Sequence, residues 1–530
     1  MEGIPSKCQV LVVGGGPAGS YTAAALANEG VDVIVIEASK FPRYHIGESL
    51  LPSIRPLLGF IGALSKIEKH GFCPKVYIHT VKFNQHKKEG YTDFVAQDPT
   101  NMSWNVIRSE FDDILLRHAS SCGANVIEKV QVMSIEFQDN DPTKRPIAAT
   151  CKATGSNQIP RKLYFDFLVD ASGRAGIMST KYLKNRHFNR SLTNIAIWGY
   201  WTGCNTYSPG TKRENAIWVE ALTDATGWAW FIPLGNGTVS IGVVQDRDCS
   251  ISKKAAFRRG QSEDISLEQF YLNELRHSPG VIELIGQDAT LVKFAKEGDA
   301  VKQAADYSYS AEAYAGPGWR SVGDAAAFID PFFSSGVHLA MGSGLSAAAT
   351  IISSIRGVDE KECANWHDIK VGIGYTRFLL VVLSAYKQIR SQDIAILSDI
   401  NEDNFDRAFD ILRPVIQGTA DINKKLSYDE AEKTMDFLKN IFAPTDPEMH
   451  IAVKARVDPK FFTADIVHQS DLDMMFDKDD EDAQLVLKRA NARKPVDKMY
   501  HICQDFRSEV INGYAIRLER GYLGMVKAEV

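Results

Sequence analysis

The start of the chain alternates between apolar segments and a segment of small residues. Residues 10–13 are uniformly apolar, residues 20–30 are rich in alanine, and residues 31–36 are again mostly apolar before Glu37. Short apolar runs predict buried strands, and the alanine-rich segment between them predicts a helix. The order strand, helix, strand over so short a stretch is typical of a βαβ unit with parallel strands.

Similar patterns recur further along the chain. Residues 111–121 predict a helix with Ser109 as its N-cap, and residues 165–170 predict another buried strand. Four strand-like segments in the middle of the chain predict a mainly antiparallel sheet, at residues 195–200, 216–221, 228–232 and 239–244. We expect this sheet to roof a substrate chamber. Beyond residue 355 the apolar spacing favours helices, chiefly over residues 369–389 and 402–411.

Composition narrows the class of protein. The 530 residues are 45% hydrophobic and 24% charged, with a formal net charge of −6. This balance favours a globular protein of several structural units and gives no electrostatic basis for binding nucleic acid or a membrane surface. We recognise no apolar leader or membrane-length segment, and the eight cysteines show neither a Cys-x-x-Cys pair nor metal-ligand spacing. We therefore expect a cytoplasmic enzyme or binding protein without a metal.

A glycine-rich loop follows the first predicted strand. Gly14, Gly16 and Gly19 form a Gly-x-Gly-x-x-Gly motif between strand and helix, and Glu37 ends the second strand. Gly14 permits a tight turn, Gly16 lets the backbone approach a pyrophosphate, and Gly19 lets helix and strand pack closely. The helix N-terminus attracts phosphate, and Glu37 can accept both ribose hydroxyls. The motif therefore predicts a dinucleotide site.

Two later segments favour FAD over NAD. Asp170-Ala-Ser-Gly173 follows a strand, and Gly323-Asp324 lies at a strand end where its carboxylate can reach the ribityl chain of an extended FAD. With the glycine loop, these segments resemble the FAD-dependent monooxygenase superfamily of the aromatic-hydroxylase type, over about the first 350 residues. The resemblance implies that Arg108, before the predicted helix, contacts the flavin.

A proline-led turn and a pair of tryptophans point to halide chemistry. The segment from Pro331 enters an apolar helix, and Ser335 and Gly336 would present backbone N–H groups at its N-terminus, where a small anion binds favourably. Trp228 and Trp230 lie two positions apart on a predicted strand. Because successive side chains point to opposite faces, both indoles fall on the same face. A halogenase needs both features: a chloride site at the flavin, and a barrier that keeps the organic substrate from the activated oxygen.

The same segments narrow the resemblance to flavin-dependent halogenases. Residues 228–233 match their Trp-x-Trp-x-Ile-Pro motif, and residues 328–336 match their Phe-x-x-Pro-x-x-Ser-x-Gly motif. Residues 44–52 resemble the flavin strap, and residues 91–94 and 104–109 look like the fungal phenol-type branch. The resemblance implies that FAD, chloride and O2 take part. It also implies flavin contacts from Arg43, Glu48, Arg108, Asp324 and Val337.

The fold class implied is α/β. An FAD-binding βαβ domain of the glutathione-reductase-like type would combine with a mainly antiparallel substrate sheet and a helical C-terminal cap. We expect the FAD-binding domain over residues 1–194 and, after the chain returns, over 311–356. The substrate-sheet region would span residues 195–310 and the mainly helical cap residues 357–530.

Lys75 and Asp465 are the candidate catalytic residues. Halogenases use one lysine to carry hypochlorous acid from flavin to substrate, and Lys75 matches that position. Its mostly apolar surroundings fit an amine with a lowered pKa. The tryptophan-modifying branch places a glutamate where this chain has Phe333, so the resemblance implies a phenol, whose hydroxyl activates its own ring. Asp465 is a candidate to deprotonate that phenol.

The sequence thus predicts FADH2- and O2-dependent chlorination of a phenolic natural product, of polyketide origin, by hypochlorous acid that Lys75 conveys. Reduced flavin would come from a separate reductase, since no second dinucleotide loop is visible. The alternatives are an aromatic hydroxylase or epoxidase, a reductase that saturates prenyl chains, and a non-enzymatic flavin-binding module. The sequence leaves open the exact substrate, the regiochemistry, delivery on a carrier protein, chloride against bromide, and the oligomeric state.

Overall fold

The computed structural model describes residues 4–75, 77–82, 90–93, 102–155, 159–211, 213–259, 265–293, 300–390, 447–463, 480–487, 490 and 510–528. Within these residues the chain forms a mixed α/β fold with several sheets.

The first sheet carries the predicted βαβ unit. Its strands are β1 (Lys7–Val13), β2 (Val33–Glu37), β7 (Asn125–Glu128), β8 (Val130–Phe137), β9 (Pro146–Ala153), β10 (Arg161–Asp170), β17 (Ala315–Gly316) and β18 (Trp319–Ser321). Strand β1 lies between β10 and β2 and is parallel to both, and β18 is parallel to β10. Val13 is in register with Ile36 and Asp170, so the carboxyl ends of these strands meet at one edge, where ligands bind in open parallel sheets.

Helices cover this sheet. They are α1 (Pro17–Asn28), α2 (Ile54–Ile61), α3 (Leu64–His70), α4 (Arg108–Ser121), α8 (Gly336–Ile355) and α9 (Glu360–Arg390). Alternate strand residues face opposite sides: Val10 and Val12 pack toward α1 and α8, whereas Leu11 and Val13 pack toward β8 and β9. Helix α8 is long and apolar enough to cross a membrane, but 89% of its apolar window is buried inside the protein, as in a core helix.

The second sheet is mainly antiparallel. Its strands are β4 (Tyr77–Lys82), β5 (Gly90–Asp93), β11 (Arg186–Thr202), β12 (Trp218–Ala221), β13 (Gly227–Pro233), β14 (Thr238–Asp246), β15 (Thr290–Leu291) and β16 (Val301–Ala311). One face packs on three helices: α5 (Arg247–Arg259), α6 (Leu267–Leu275) and α7 (Pro279–Ile285). Ala229 and Phe231 face these helices, whereas Trp228 and Trp230 lie on the opposite face.

Three expectations about boundaries were wrong. Helix α4 begins at Arg108, because the backbone is extended at its N-cap Ile107, so Ser109 lies inside its first turn, and the Arg108 guanidinium binds Asp112 one turn on. Strand β11 begins at Arg186, so the expected boundary at residue 194 falls inside it. Strands β4 and β5, within the segment assigned to the FAD-binding domain, join the second sheet instead, because β4 pairs with β12.

Two small sheets complete the described fold. Strand β3 (Cys73–Lys75) pairs with β6 (Ser103–Asn105), and β19 (Tyr514–Arg517) pairs with β20 (Gly524–Lys527). The second pair is a C-terminal hairpin that packs into the same core as α1 and α8, which the helical pattern did not predict. Two short helices, Pro447–Arg456 and Lys460–Thr463, are also described, whereas the predicted helix at 402–411 lies outside the described residues.

Candidate active site

A cavity of about 810 Å³ lies between the carboxyl edge of the first sheet and the tryptophan-bearing face of the second. Most predicted site residues line it: Gly14, Gly16, Glu37, Arg43, Glu48, Arg108, Trp228, Trp230, Asp324, Gly336 and Val337. Residues about 300 positions apart in the chain, such as Gly14 and Asp324, therefore line one chamber. Gly19, Lys75 and Ser335 do not line it, although the neighbouring Ala18, Ser334 and Gly336 do, and Asp465 lies outside the described residues.

The glycine-rich turn has the close contacts that its sequence predicts. A Cβ on Gly14, which has a φ of 108°, would lie 2.2 Å from the Ala171 carbonyl oxygen, and one on Gly19 would lie 2.0 Å from the Gly14 carbonyl oxygen. Gly16 is the N-cap of α1 and offers no side chain to its first-turn N–H groups. The Gly15 N–H donates to the Glu37 carboxylate at 2.7 Å. The N–H groups in the first turn of α1, which no side chain caps, lie at the cavity edge and fit the pyrophosphate of FAD.

Gly16→Val is expected to abolish FAD binding while the protein still folds. A Cβ at Gly16 would meet no atom nearer than 3.5 Å, the Arg43 guanidinium, so the added side chain enters the space that the pyrophosphate needs. Gly19→Val should instead prevent folding, because its Cβ overlaps the Gly14 carbonyl. Flavin fluorescence titration and thermal melting separate the two effects; retained FAD affinity in Gly16→Val would place the pyrophosphate elsewhere.

Two arginines and a buried aspartate form the polar wall next to this turn. Asp112 is fully buried and binds Arg43 at 3.1 Å and Arg108 at 2.9 Å. The Arg108 guanidinium also donates to the carbonyl oxygen of Ile46 at 2.8 Å, which fixes the segment before Glu48. Burial raises the pKa of Asp324, and the charges of Arg174 and Arg108 oppose that rise. The wall thus brings two guanidinium groups to the cavity, and Asp112 offsets one of their two charges.

The proline-led turn presents its backbone toward the cavity. Asp330 accepts the Phe332 N–H at 3.1 Å, and Ser334 adopts a left-handed conformation with a φ of 55°, which a serine rarely takes. Ser335 is the N-cap of α8, and its buried hydroxyl has no hydrogen-bond partner among the described residues. Gly336 has open space where a Cβ would be. A helix N-terminus with an unsatisfied hydroxyl fits a small anion.

The two indoles form one continuous surface, which we call the indole wall (Trp228 and Trp230). Their ring centroids are 5.8 Å apart, and both side chains are buried. Trp228 packs edge-on against Phe332 of the proline-led turn, with centroids 5.0 Å apart. Trp230 lies flat on the backbone of Gly242, where a Cβ would be 2.3 Å from its ring. The wall is therefore fixed both to the turn and to the neighbouring strand.

Lys75 is buried at the chamber's edge. Only 1% of the residue is exposed, and its ammonium nitrogen donates to Ser49 Oγ at 2.7 Å and to the Leu50 carbonyl oxygen at 3.0 Å. Ser49 itself lines the cavity. Burial lowers the pKa of Lys75 to about 7. About half of the amine is thus neutral at pH 7, and it lies one residue away from the cavity surface.

The lowered pKa makes stability depend on pH. Because folding favours the neutral amine, the unfolded chain binds more protons between about pH 7 and the ordinary lysine value of 10.5, so this group's contribution becomes more favourable as pH rises through that window. The slope is at most about 1.4 kcal/mol per pH unit. We expect Lys75→Met to remove it, so that urea unfolding of the two proteins differs more at pH 7 than at pH 10; parallel curves would contradict the buried amine.

Glu48 is a second buried ionisable group, which the sequence assigned only to flavin contact. It is 4% exposed, and Tyr200 donates a short hydrogen bond to Oε1 while Oε2 has no partner among the described residues. Burial raises the pKa of Glu48 to about 7. Tyr200 contacts the half-exposed Tyr44, whose hydroxyl accepts from Trp198 at 2.7 Å. Tyr200 lies in a strand of ordinary aromatic spacing, so no signal in the sequence marked it, and Tyr44 was included only as the first residue of the strap-like segment 44–52.

One cluster of possible metal ligands lies elsewhere in the described fold. Asp224, Glu274 and His277 come together, but the Lys253 ammonium binds both carboxylates and offsets part of their charge. The arrangement is an ion-pair network, and the expectation of no metal stays a prediction.

A parallel dinucleotide-type sheet, a polar wall of arginines and an anion turn facing two indoles together define an FAD-dependent oxidoreductase. The sequence profile of the tryptophan halogenase family matches residues 9–96 and 69–399. The chain belongs to this family and is a flavin-dependent halogenase of the fungal type.

Similar proteins and solved structures support this family assignment. It is 53% identical to the flavin-dependent halogenase armH4 of Armillaria mellea, over 98% of both chains, and 48% identical to ascD of Acremonium egyptiacum, over 100% of this chain and 94% of that protein. Among solved structures, CmlS, a flavin-dependent halogenase, has a TM-score of 0.69 at 25% identity, covering 99% of this chain and 85% of its own.

Family membership settles the chemistry at a coarse level. The family uses FAD with a halide and O2 as co-substrates, acts on small molecules and needs a flavin reductase. The halogenase interpretation is therefore confirmed over the hydroxylase, the prenyl reductase and the flavin-binding module.

Proposed function

We propose that this halogenase chlorinates a phenolic natural product of polyketide origin, with Lys75 conveying hypochlorous acid to the ring. The observation that carries the proposal is the buried Lys75 amine beside the cavity, whose pKa of about 7 leaves about half of it neutral at pH 7. A neutral amine can either accept chlorine as a chloramine or donate a hydrogen bond to hypochlorous acid, and an exposed lysine at this pH would remain protonated.

The halide is proposed to bind at Ser335 and Gly336. The support is the helix N-terminus of α8, the unsatisfied Ser335 hydroxyl, and Phe332, which excludes water on one side. An anion with little hydration keeps its nucleophilicity, so a dry turn favours oxidation of the halide. The indole wall opposite keeps the organic substrate apart from that step.

FAD would be held by the glycine turn, Glu37, Arg43, Arg108 and Asp324, with Val337 at its ring. When bound and reduced, FAD activates O2 so that chloride is oxidised to hypochlorous acid. Lys75 then orients the hypochlorous acid toward the acceptor. Substitution exchanges one aromatic C–H for C–Cl, and the displaced proton and the hydroxide of hypochlorous acid leave as water.

A phenol is proposed because the position of the usual glutamate is Phe333. This ring packs against Phe332 with centroids 5.0 Å apart, so the position contributes apolar surface and no charge. An unactivated indole carbon would lack an acid partner for the lysine there, whereas a phenol supplies electron density through its own hydroxyl. Asp465 remains the proposed base for that hydroxyl.

The partners and setting follow from this proposal. A separate reductase would supply FADH2, the substrate would arrive free or on a carrier protein, and the reaction would take place in the cytoplasm. The mainly helical region after residue 357 would close the substrate chamber, and helix α9 already packs on β13.

The experiment is a product assay with purified protein, a flavin reductase, FAD, NADH, O2 and chloride. A panel of phenols should gain chlorine in place of hydrogen, with the chlorine isotope pattern in the mass spectrum, and free tryptophan should be unchanged. An added oxygen would instead identify a hydroxylase, and chlorination of tryptophan would overturn the substrate argument. Replacing chloride with bromide in the same assay establishes the halide preference.

A further inference from the structure

The indole wall and the proline-led turn are joined by a buried hydrogen-bond network that the catalytic assignment above does not use. Trp228 Nε1 donates to Tyr386 Oη at 2.7 Å, and Tyr386 Oη lies 2.7 Å from Asp330 Oδ2. Asn194 donates from Nδ2 to the same carboxylate oxygen at 2.8 Å and to Tyr386 Oη at 2.9 Å. All four side chains are at most 3% exposed.

The chemistry of the groups fixes the direction of every bond. An indole N–H and an amide NH2 can only donate, so the Tyr386 hydroxyl accepts from both and must give its own proton to Asp330. Asp330 is then an acceptor through both oxygens, since Oδ1 accepts the Phe332 N–H at 3.1 Å. A single carboxylate therefore fixes the turn through Oδ1 and the indole wall through Oδ2.

The network connects four separate parts of the fold. Asn194 comes from β11, Trp228 from β13, Asp330 from the turn before α8, and Tyr386 from near the end of α9. Phe332 fills the space between them, packed on Trp228 at 5.0 Å and on Tyr386 at 6.2 Å between centroids. Asn194 Oδ1 is the one polar atom of these four side chains that lacks a hydrogen-bond partner among the described residues. The remaining bonds form a connected polar cluster in a dry interior, which holds its members in one arrangement.

We propose that Tyr386 and Asp330 are positioning residues that hold the halide-binding turn in register with the indole wall, so that halide affinity depends on helix α9. The inference rests on the proposed halide placement at Ser335 and Gly336. Ser334 in its left-handed conformation must be held by its surroundings, and Asp330 provides that restraint on one side of it. Removing the Tyr386 hydroxyl takes away the acceptor of the Trp228 N–H and leaves Asp330 Oδ2 with only the bond from Asn194. Both the indole wall and the proline-led turn are then held less firmly.

The test is Tyr386→Phe in the FAD-loaded protein. We expect the KM for chloride to rise about ten-fold, equivalent to about 1.4 kcal/mol. The kcat at saturating chloride should stay within about three-fold, because nothing that touches the reacting atoms has changed. Hydrogen peroxide released per product should increase at low chloride. Chloride titration of the intrinsic tryptophan fluorescence should give the same shift in affinity without turnover.

Tyr375→Phe is the matched control. Tyr375 is also a buried tyrosine on α9, but its hydroxyl bonds with the Ser310 side chain and takes no part in the network. Its chloride KM should equal that of the unaltered protein, and an equal rise in both variants would refute the specific role. If Tyr386→Phe does not fold, Asp330→Asn serves, since it keeps the shape and weakens both bonds, and should raise the chloride KM as well.

Two failures can be told apart. If chloride changes the tryptophan fluorescence of the unaltered protein and Tyr386→Phe binds it equally well, the positioning role is wrong while the halide placement stands. If chloride supports turnover without any response from the tryptophans, the halide lies away from the turn, and both the placement and the inference built on it are overturned.

Discussion

Lys75→Met is expected to reduce product formation by roughly 10³-fold or more, within the range for loss of a proton-transferring or nucleophilic group. The substitution fills nearly the same volume, so the β3–β6 pair should persist. Because the halide turn lies on another segment, oxidation of chloride should continue, and hypochlorous acid should escape into solution. Trapping that acid with a thioether or a fluorogenic probe, beside chromatography of the product, measures both quantities in one reaction.

The matched control is Lys66→Met, which alters an exposed lysine on α3. It should chlorinate at the normal rate. Unchanged chlorination by Lys75→Met would refute the lysine's role, and loss of escaped hypochlorous acid together with product would show that the lysine acts in an earlier step.

Leu523→Asp is expected to destabilise the FAD-binding region severely, although residue 523 is remote in sequence from α1 and α8. Leu523 is completely buried in the core shared with α1 and α8. Loss of a buried leucine costs about 2–5 kcal/mol, and an unpaired buried carboxylate adds to that. The free energy of unfolding of a domain is only about 5–15 kcal/mol, so this loss approaches the whole of it. Most of the protein should therefore be unfolded or unable to retain FAD at 37 °C.

Val526→Asp provides the comparison, because Val526 lies on the same hairpin but is 40% exposed. It should change the melting temperature little. Equal losses in both variants would indicate that the hairpin tolerates no acidic residue at all, and normal FAD retention by Leu523→Asp would show that the hairpin is dispensable to the core.

The parts of the site that could be predicted are those fixed by local chemistry. Gly19 faces the Gly14 carbonyl within the same βαβ unit, so its glycine requirement is evident in a short stretch of sequence, whereas the close neighbour of Gly14 is the distant Ala171. Trp228 and Trp230 share a face because strands alternate, whatever else the chain does. The βαβ unit and the antiparallel sheet were anticipated on such grounds, with strand ends displaced, whereas Lys75 was singled out by the family resemblance and not by local spacing.

The parts that could not be predicted depend on partners far apart in the chain. Tyr386 binds Asp330 across 56 positions, and Tyr200 binds Glu48 across 152. Neither tyrosine departs from the apolar spacing of its own helix or strand, so periodicity treats it as ordinary core. The same reason explains the C-terminal hairpin, whose burial is decided by α1 and α8 and not by its own short strands.

The bare backbone at Gly242 has a practical consequence for enzyme engineering. Because Trp230 rests directly on it, the depth at which that indole lies is set by the size of residue 242. Even an alanine would meet the ring and displace it into the cavity that Trp230 lines. Pairing a larger residue at 242 with a smaller aromatic at 230 gives a two-position means of retuning which ring systems the enzyme accepts, without altering either the lysine or the anion turn.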